Sequence, residues 1–107
     1  MNNEDIRACI EACFVCAKDC EICLNAMATK ASDNDCPRCC RECVETCITC
    51  ALGMSRQSRF WRNYCAICSE ACRWCAQECG EHDHDHCQKC AVSCRKCAEL
   101  CEKVASR

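Results

Sequence analysis

The chain has almost none of the residues that make tight turns and phosphate-binding loops. It holds two glycines and one proline in 107 residues, which excludes a glycine-rich nucleotide-binding loop. Aromatic residues are as scarce, with two Phe, two Trp and one Tyr. Basic residues do not outnumber acidic ones: 14 against 16 give a net charge of −2, so the basic footprint that nucleic acid demands is missing. No window approaches the roughly 18 consecutive apolar residues of a membrane span. The start, MNNEDIRAC, is acidic and lacks the basic and apolar regions of a secretory leader, and it has no twin-arginine pair. The expectation is a cytoplasmic protein that binds neither nucleic acid nor membrane.

What the chain does have is cysteine, 21 residues of 107, about twice the share of roughly a tenth that already marks a cysteine-specialised protein. The hydrophobic fraction of 50% counts those cysteines. Without them it falls to about 30%, too little Leu, Ile, Val and Phe for a conventional core. The odd count argues against a fully paired disulfide framework. In a reducing compartment, thiols in such number bind metal or do redox chemistry.

The cysteines fall in four blocks: Cys9, Cys13, Cys16, Cys20, Cys23; Cys36, Cys39, Cys40, Cys43, Cys47, Cys50; Cys65, Cys68, Cys72, Cys75, Cys79; and Cys87, Cys90, Cys94, Cys97, Cys101. Within each block the steps alternate between 3 and 4 once Cys39 is set aside as an extra. That repeat puts one face of a helix against other helices. Between the cysteines stand good helix formers such as Lys18, Glu21, Arg41, Glu45, Glu70, Arg73, Gln77 and Glu99. The pattern predicts helices near 4–28, 36–54, 57–79 and 85–105. Asp33 or Asp35 is placed to cap the second with Pro37 in its first turn. Ser55 or Ser58 is placed to cap the third and Gly80 to end it, and Asp83 or Asp85 to cap the fourth. Short connections make successive helices antiparallel. The expected fold is all-α, a single domain over 1–107 built as an up-down-up-down four-helix bundle with a cysteine-lined core.

A buried cysteine acts as a small hydrophobe, which accounts for one or two per helix but not for nearly every inward position of four helices. Leu and Ile would fill that volume better, so the thiol chemistry itself is the reason. Thiolates select Cu(I), Zn(II) or iron–sulfur clusters. The C-x-x-C pairs run on along helices with no turn glycine, unlike zinc knuckles, and the cysteine runs of cluster ferredoxins do not occur. Positions i and i+4 bring two sulfurs to one side of a helix, and nine such C-x-x-x-C pairs occur, Cys9/Cys13 and Cys75/Cys79 among them. Charge separates the metals further. About five zinc ions on 21 thiolates would leave about −11 inside the bundle, a prohibitive buried charge. Cu(I) at about one ion per thiolate leaves it near neutral, so the electrostatics favour roughly 15–21 Cu(I) ions per chain.

The two ends differ. Antiparallel helices bring Ile6, Met54, Trp61 and Val104 to one end as a mostly apolar plug. The other end holds Met27, the extra Cys39 and the loop Gly80-Glu81-His82-Asp83-His84-Asp85-His86. Met27, His82, His84 and His86 are candidate transient ligands there, a gate where copper enters and leaves. A solvated capping loop and an ordinary core methionine are the other readings of the same residues. Arg56, Arg59 and Arg62 form a basic turn that reads as a solvated helix start, and Phe14, Phe60, Tyr64 and Trp74 sit beside the cysteine stripe. There is no Ser-His-Asp set and no paired carboxylate, so nothing calls for an enzyme.

On its four 3/4-spaced cysteine blocks, its C-x-x-x-C pairs and its length, the sequence resembles the bacterial copper storage proteins over nearly its whole extent. The resemblance implies storage of many Cu(I) ions by core thiolates, with all 21 cysteines as ligands at their own positions, and assembly as a homotetramer. Having no twin-arginine leader, the chain resembles the cytosolic branch of that family. Cys39 departs from the strict phase, so its place in the core is left open. The alternatives are a zinc or mixed-metal thiolate buffer, an iron–sulfur electron-transfer protein and a thiol redox buffer.

Overall fold

Each cysteine block folds as a helix because its polar residues face outward and its thiols and alanines face one way. The computed structural model describes residues 3–106. It holds α1 (Asn3–Met27), α2 (Arg38–Ser55), α3 (Trp61–Gly80) and α4 (Asp85–Ala105), with no strand among the described residues. Each helix packs against two neighbours in the ring α1–α2–α3–α4, while helices across the diagonal make no close backbone approach. The bundle measures 42 × 17 × 17 Å. This is the expected antiparallel four-helix bundle.

The helix ends differ from the expected caps. Second, third and fourth helices begin after Pro37, Phe60 and His84, none of which caps through its side chain. Asp35 serves through its backbone carbonyl, which accepts from the Cys39 N–H at 2.8 Å. Ser58 Oγ does accept from the Phe60 N–H at 3.1 Å, whereas the Ser55 hydroxyl donates back to the Ala51 carbonyl inside α2. Gly80 lies within α3, which runs on to a cap at Glu81. Asp85 stands in the first turn of α4, where its charge complements the helix dipole. The most consequential shift is at α2. It starts at Arg38 rather than 36, so Cys36 alone among the 21 cysteines lies outside the helices.

Two residue types build the interior. All 21 cysteines are fully buried, and Ala12, Ala17, Ala51, Ala76, Ala91 and Ala98 are buried beside them. Alanine at the seams lets the helices approach closely enough for thiols, which are short, to meet on the axis. Between α1 and α4 a buried Asp19 carboxylate accepts from the Ser93 hydroxyl. Across the α3–α4 seam the Arg73 guanidinium donates to both Glu102 oxygens, at 2.6 and 3.1 Å. At one end Met54 and Val104 are buried, and Ile6 and Trp61 are partly buried against the core. The Arg62 guanidinium lies over the Trp61 ring, 4.4 Å from its centroid.

On α2, Gly53 faces the Tyr64 ring of α3. A Cβ added there would stand 2.4 Å from Tyr64 Cδ2, closer than packed atoms tolerate. Gly53→Ala is expected to destabilise the reduced, metal-free protein by about 1–3 kcal/mol through overpacking. Urea unfolding followed by helical circular dichroism checks it, and an unchanged midpoint would refute the close α2–α3 approach.

Candidate metal centre

The inward stripes of four helices converge into one column of sulfur. Adjacent Sγ atoms lie 3.3–4.0 Å apart from Cys9 against Cys101, near the start of α1, to Cys23 against Cys87 at the other end. All 21 thiols are free. The closest approaches join different segments of the chain: Cys36, on the α1–α2 connection, and Cys79 at 3.3 Å, Cys20 and Cys90 at 3.4 Å, Cys43 and Cys72 at 3.4 Å. Sulfurs also meet across the diagonal, as Cys43 of α2 does with Cys94 of α4 at 3.7 Å.

The i, i+4 pairs belong to this network but do not dominate it. Cys16/Cys20, Cys43/Cys47, Cys68/Cys72, Cys75/Cys79 and Cys90/Cys94 touch at 3.7–3.9 Å. Sets with metal-binding geometry draw on three or four helices at once. Cys13, Cys50, Cys68 and Cys101 come one from each helix, and Cys16, Cys43, Cys47 and Cys72 from three, with all sulfurs of a set within 4.8 Å of one another. With metal–sulfur bonds of about 2.3 Å, sulfurs around a tetrahedral ion stand about 3.8 Å apart and those across a linear one about 4.6 Å. The observed spacing therefore admits three or four sulfurs per ion as it stands. Two-coordinate ions need the sulfurs to part by a few tenths of an ångström or more.

Thiols packed this closely share protons rather than titrate one by one. Hydrogen bonding, first with Cys16, together with burial holds Cys47 and Cys94 above the ordinary thiol range. Cys16 is held below it, by bonding with Cys20 first and then Cys43. Cys97 is lowered to about 6, chiefly by Cys101 and Cys13. At the edge of the network Cys87 is pushed up to about 11, with burial the largest cause. Ligation by thiolate requires these protons to leave, so metal binding and proton release are linked.

The candidate gate residues divide. His86 Nδ1 lies 3.4 Å from Cys23 Sγ and 3.5 Å from Cys87 Sγ, while its Nε2 is 3.2 Å from Lys30 Nζ. Because the Lys30 ammonium only donates, Nε2 accepts and Nδ1 carries the ring proton toward the sulfurs. Burial, then the charges of Lys30 and His84, keep His86 below the ordinary imidazole range. It is thus neutral near pH 7, and a soft metal ion can replace its Nδ1 proton. His82 instead anchors the α1–α2 loop, with Nε2 3.1 Å from Ser32 Oγ and 3.0 Å from Asn34 Oδ1. His84 is exposed and stacks between the other two rings, centroids 6.1 and 5.2 Å away. Met27 is buried. Cys39, out of phase in the sequence, is nonetheless fully buried, with its Sγ 4.0 Å from that of Cys79. Sequence reasoning missed Met54 as a sulfur donor, because its place in the apolar plug hid that its Sδ lies 3.7 Å from Cys65 Sγ.

Fold and sulfur column together define a class: antiparallel four-helix bundles whose interior is a continuous bed of reduced thiols. Comparison with known proteins narrows this. The copper storage protein (Csp) family matches residues 2–106, and the chain belongs to that family. It is 41% identical over 87 residues to the uncharacterized cysteine-rich protein YhjQ of Bacillus subtilis, spanning 78% of this chain and 81% of that one. Among solved structures it resembles the Cu(I)-bound copper storage protein BsCsp3, with 40% identity, a TM-score of 0.89, and 94% and 98% of the two chains covered. It also resembles a cytosolic copper storage protein from Streptomyces lividans loaded with five coppers, with 30% identity, a TM-score of 0.86, and 97% and 94% covered.

A thiol held protonated by burial supports the fold only while the unfolded chain would also keep its proton. The raised Cys87 pKa thus contributes stability that is fully present below the ordinary thiol pKa of 9.0 and is lost as pH rises toward about 11. Between pH 8 and 11 the reduced, metal-free protein is expected to lose more stability than its Cys87→Ala variant. Denaturant unfolding of both under anaerobic conditions checks this, and parallel pH profiles would contradict it.

Proposed function

We propose that the protein stores Cu(I), binding many ions per chain on the thiolates of all 21 core cysteines. The supporting observation is that every cysteine is reduced, fully buried and part of one network of sulfurs on the bundle axis. Such an interior excludes water, so the charge it acquires must be close to balanced. One Cu(I) per thiolate achieves that balance, whereas zinc at four thiolates per ion leaves about two negative charges per site. The quartets fit a tetrahedral ion one at a time. They share members, however: Cys16 and Cys43 belong to two sets, and Cys20 and Cys90 each belong to two. Shared sulfurs bridge neighbouring ions, and bridged Cu(I)–thiolate clusters are what a store of high capacity requires.

Storage here needs no catalytic turnover, and no cysteine set is held apart from the rest to act as a single reactive centre. Chain 1–107 acts as one storage domain, of which 1, 2 and 107 lie outside the described residues. We assign it to the cytosol, as its Streptomyces relative is described, and no helix of the described residues is long and apolar enough to cross a membrane. Assembly into a homotetramer follows the family resemblance. It is supported by a second outward stripe running from the start of α3 along it, where Phe60, just before the helix, and Ile67 are more than half exposed in line with Tyr64, Ala71 and Trp74.

His86 forms the gate at the polar end, where Met27 is buried, while His84 stacks on its ring and His82 anchors the α1–α2 loop. Anaerobic titration of the reduced, metal-free protein against a competing chromophoric chelator should give roughly 15–21 Cu(I) per chain, as core neutrality requires. An endpoint of one to four ions would point to a few discrete sites and refute the charge argument. Replacing His82, His84 and His86 together with Ala should slow loading and leave capacity nearly unchanged. A loss of several ions would make the histidines storage ligands instead.

A further inference from the structure

One surface cavity touches the sulfur column. It is an open cleft of about 380 Å³ between the α1–α2 connection and the start of α2, and Cys36 forms part of its wall. That size suits a small ligand rather than a protein. Its rim carries three cations, Lys30, Arg38 and Arg41, against one carboxylate, Asp35. None of the three is tightly neutralised. Arg38 meets Asp35 at 3.8 Å and Arg41 meets Glu45 at 3.9 Å, both across exposed surface. Lys30 bonds to the neutral ring of His86. Ser32 and Asn34 add polar groups to the wall.

The thiol beneath this rim is unlike the other twenty. Cys36 is the cysteine outside the helices, on a connecting segment, and segments without helical hydrogen bonding open most readily. Its sulfur also makes the shortest contact of the column, 3.3 Å to Cys79, and it reaches Cys23 at 4.0 Å. From Cys79 the chain of sulfurs continues to Cys40 at 3.5 Å. A thiol on a connecting segment, buried beneath a cationic cleft and adjoining the whole column, is placed to receive metal from outside when that segment opens.

We propose that this cleft docks a small anionic thiol carrying Cu(I) as its bis-thiolate complex and passes the ion to Cys36. The inference rests on the copper-storage reading and names its donor. The cationic rim attracts the anionic complex, and the Arg38 and Arg41 guanidinium groups donate to its carboxylates. Cu(I) then leaves two carrier thiolates for Cys36 and Cys79. The two cysteine protons depart on the two released carrier thiols, and copper stays in the +1 state throughout. A thiol carrier suits the task because soft ligands select Cu(I) and small thiols keep the cytosol reduced.

The probe is the Cu(I) complex of reduced glutathione, with the Cu(I)–acetonitrile cation as a second donor that has no negative charge to dock. Stopped-flow ultraviolet absorbance of Cu(I)–thiolate formation reads the loading rate, and the plateau reads capacity. In Arg38→Glu/Arg41→Glu, loading from glutathione should fall about tenfold, while loading from acetonitrile stays within about twofold and capacity is unchanged. Cys36→Ser should slow the glutathione route similarly and lower capacity by about one or two ions. With the unmodified protein, raising salt from about 0.05 to 0.5 M should slow the glutathione route alone, a test that no folding defect can confuse. A glutathione route indifferent to both charge reversal and salt would overturn the proposal, as would equal slowing of both routes. Failure of the storage reading is distinct, since it would appear as low capacity of the unmodified protein from either donor.

Discussion

Everything in this molecule depends on a neutral interior made of groups that can each become an anion. A thiol is small and weakly polar, so 21 of them can fill the axis of a bundle 17 Å across without burying charge. The same group turned to thiolate in the same place would be costly unless a cation arrived with it. Proton loss and metal gain are therefore one event in this core. The raised thiols such as Cys47 and Cys94 and the lowered Cys16 are two sides of the same shared hydrogen bonds.

That constraint shapes the packing around it. A thiol core has less apolar surface to bury than one of Leu and Ile, so the hydrophobic drive per residue is modest. The bundle compensates by bringing its helices close. Alanines line the seams, and Gly53 admits the Tyr64 ring where α2 and α3 meet. Larger apolar groups are pushed to the ends and the outside. Met54 and Val104 close one end, while Phe60, just before α3, and Ile67 on it remain at the surface.

The ends give the column a direction. One is sealed by side chains that offer soft metals little beyond the Met54 thioether, which touches Cys65. At the other, Cys36, Cys39 and Cys79 crowd together, His86 reaches Cys23 and Cys87, and the cationic cleft lies beside them. Sulfur, imidazole and positive charge thus coincide where the column nears solvent, a division of labour that suits a store filled from one end.

Much of this was legible in the sequence, because helical periodicity is a local property. Steps of 3 and 4 fixed which residues face inward, and scarce Gly and Pro left four long helices. The spread of 21 thiols over those helices marked the interior as a soft-metal bed and the family with it. The alternation assigned Met54 and Val104 to one end and Met27 to the other. What the sequence could not determine is lateral. Whether Cys13 meets Cys50, Cys68 and Cys101, which imidazole of 82, 84 and 86 turns toward sulfur, and whether Cys39 joins the core all depend on how helices slide and rotate against one another. So does the position of Cys36, left outside α2 because the helix begins at Arg38. Those offsets are set by contacts between residues of different helices, such as Gly53 with Tyr64 and Ser93 with Asp19. Only tertiary packing decides them.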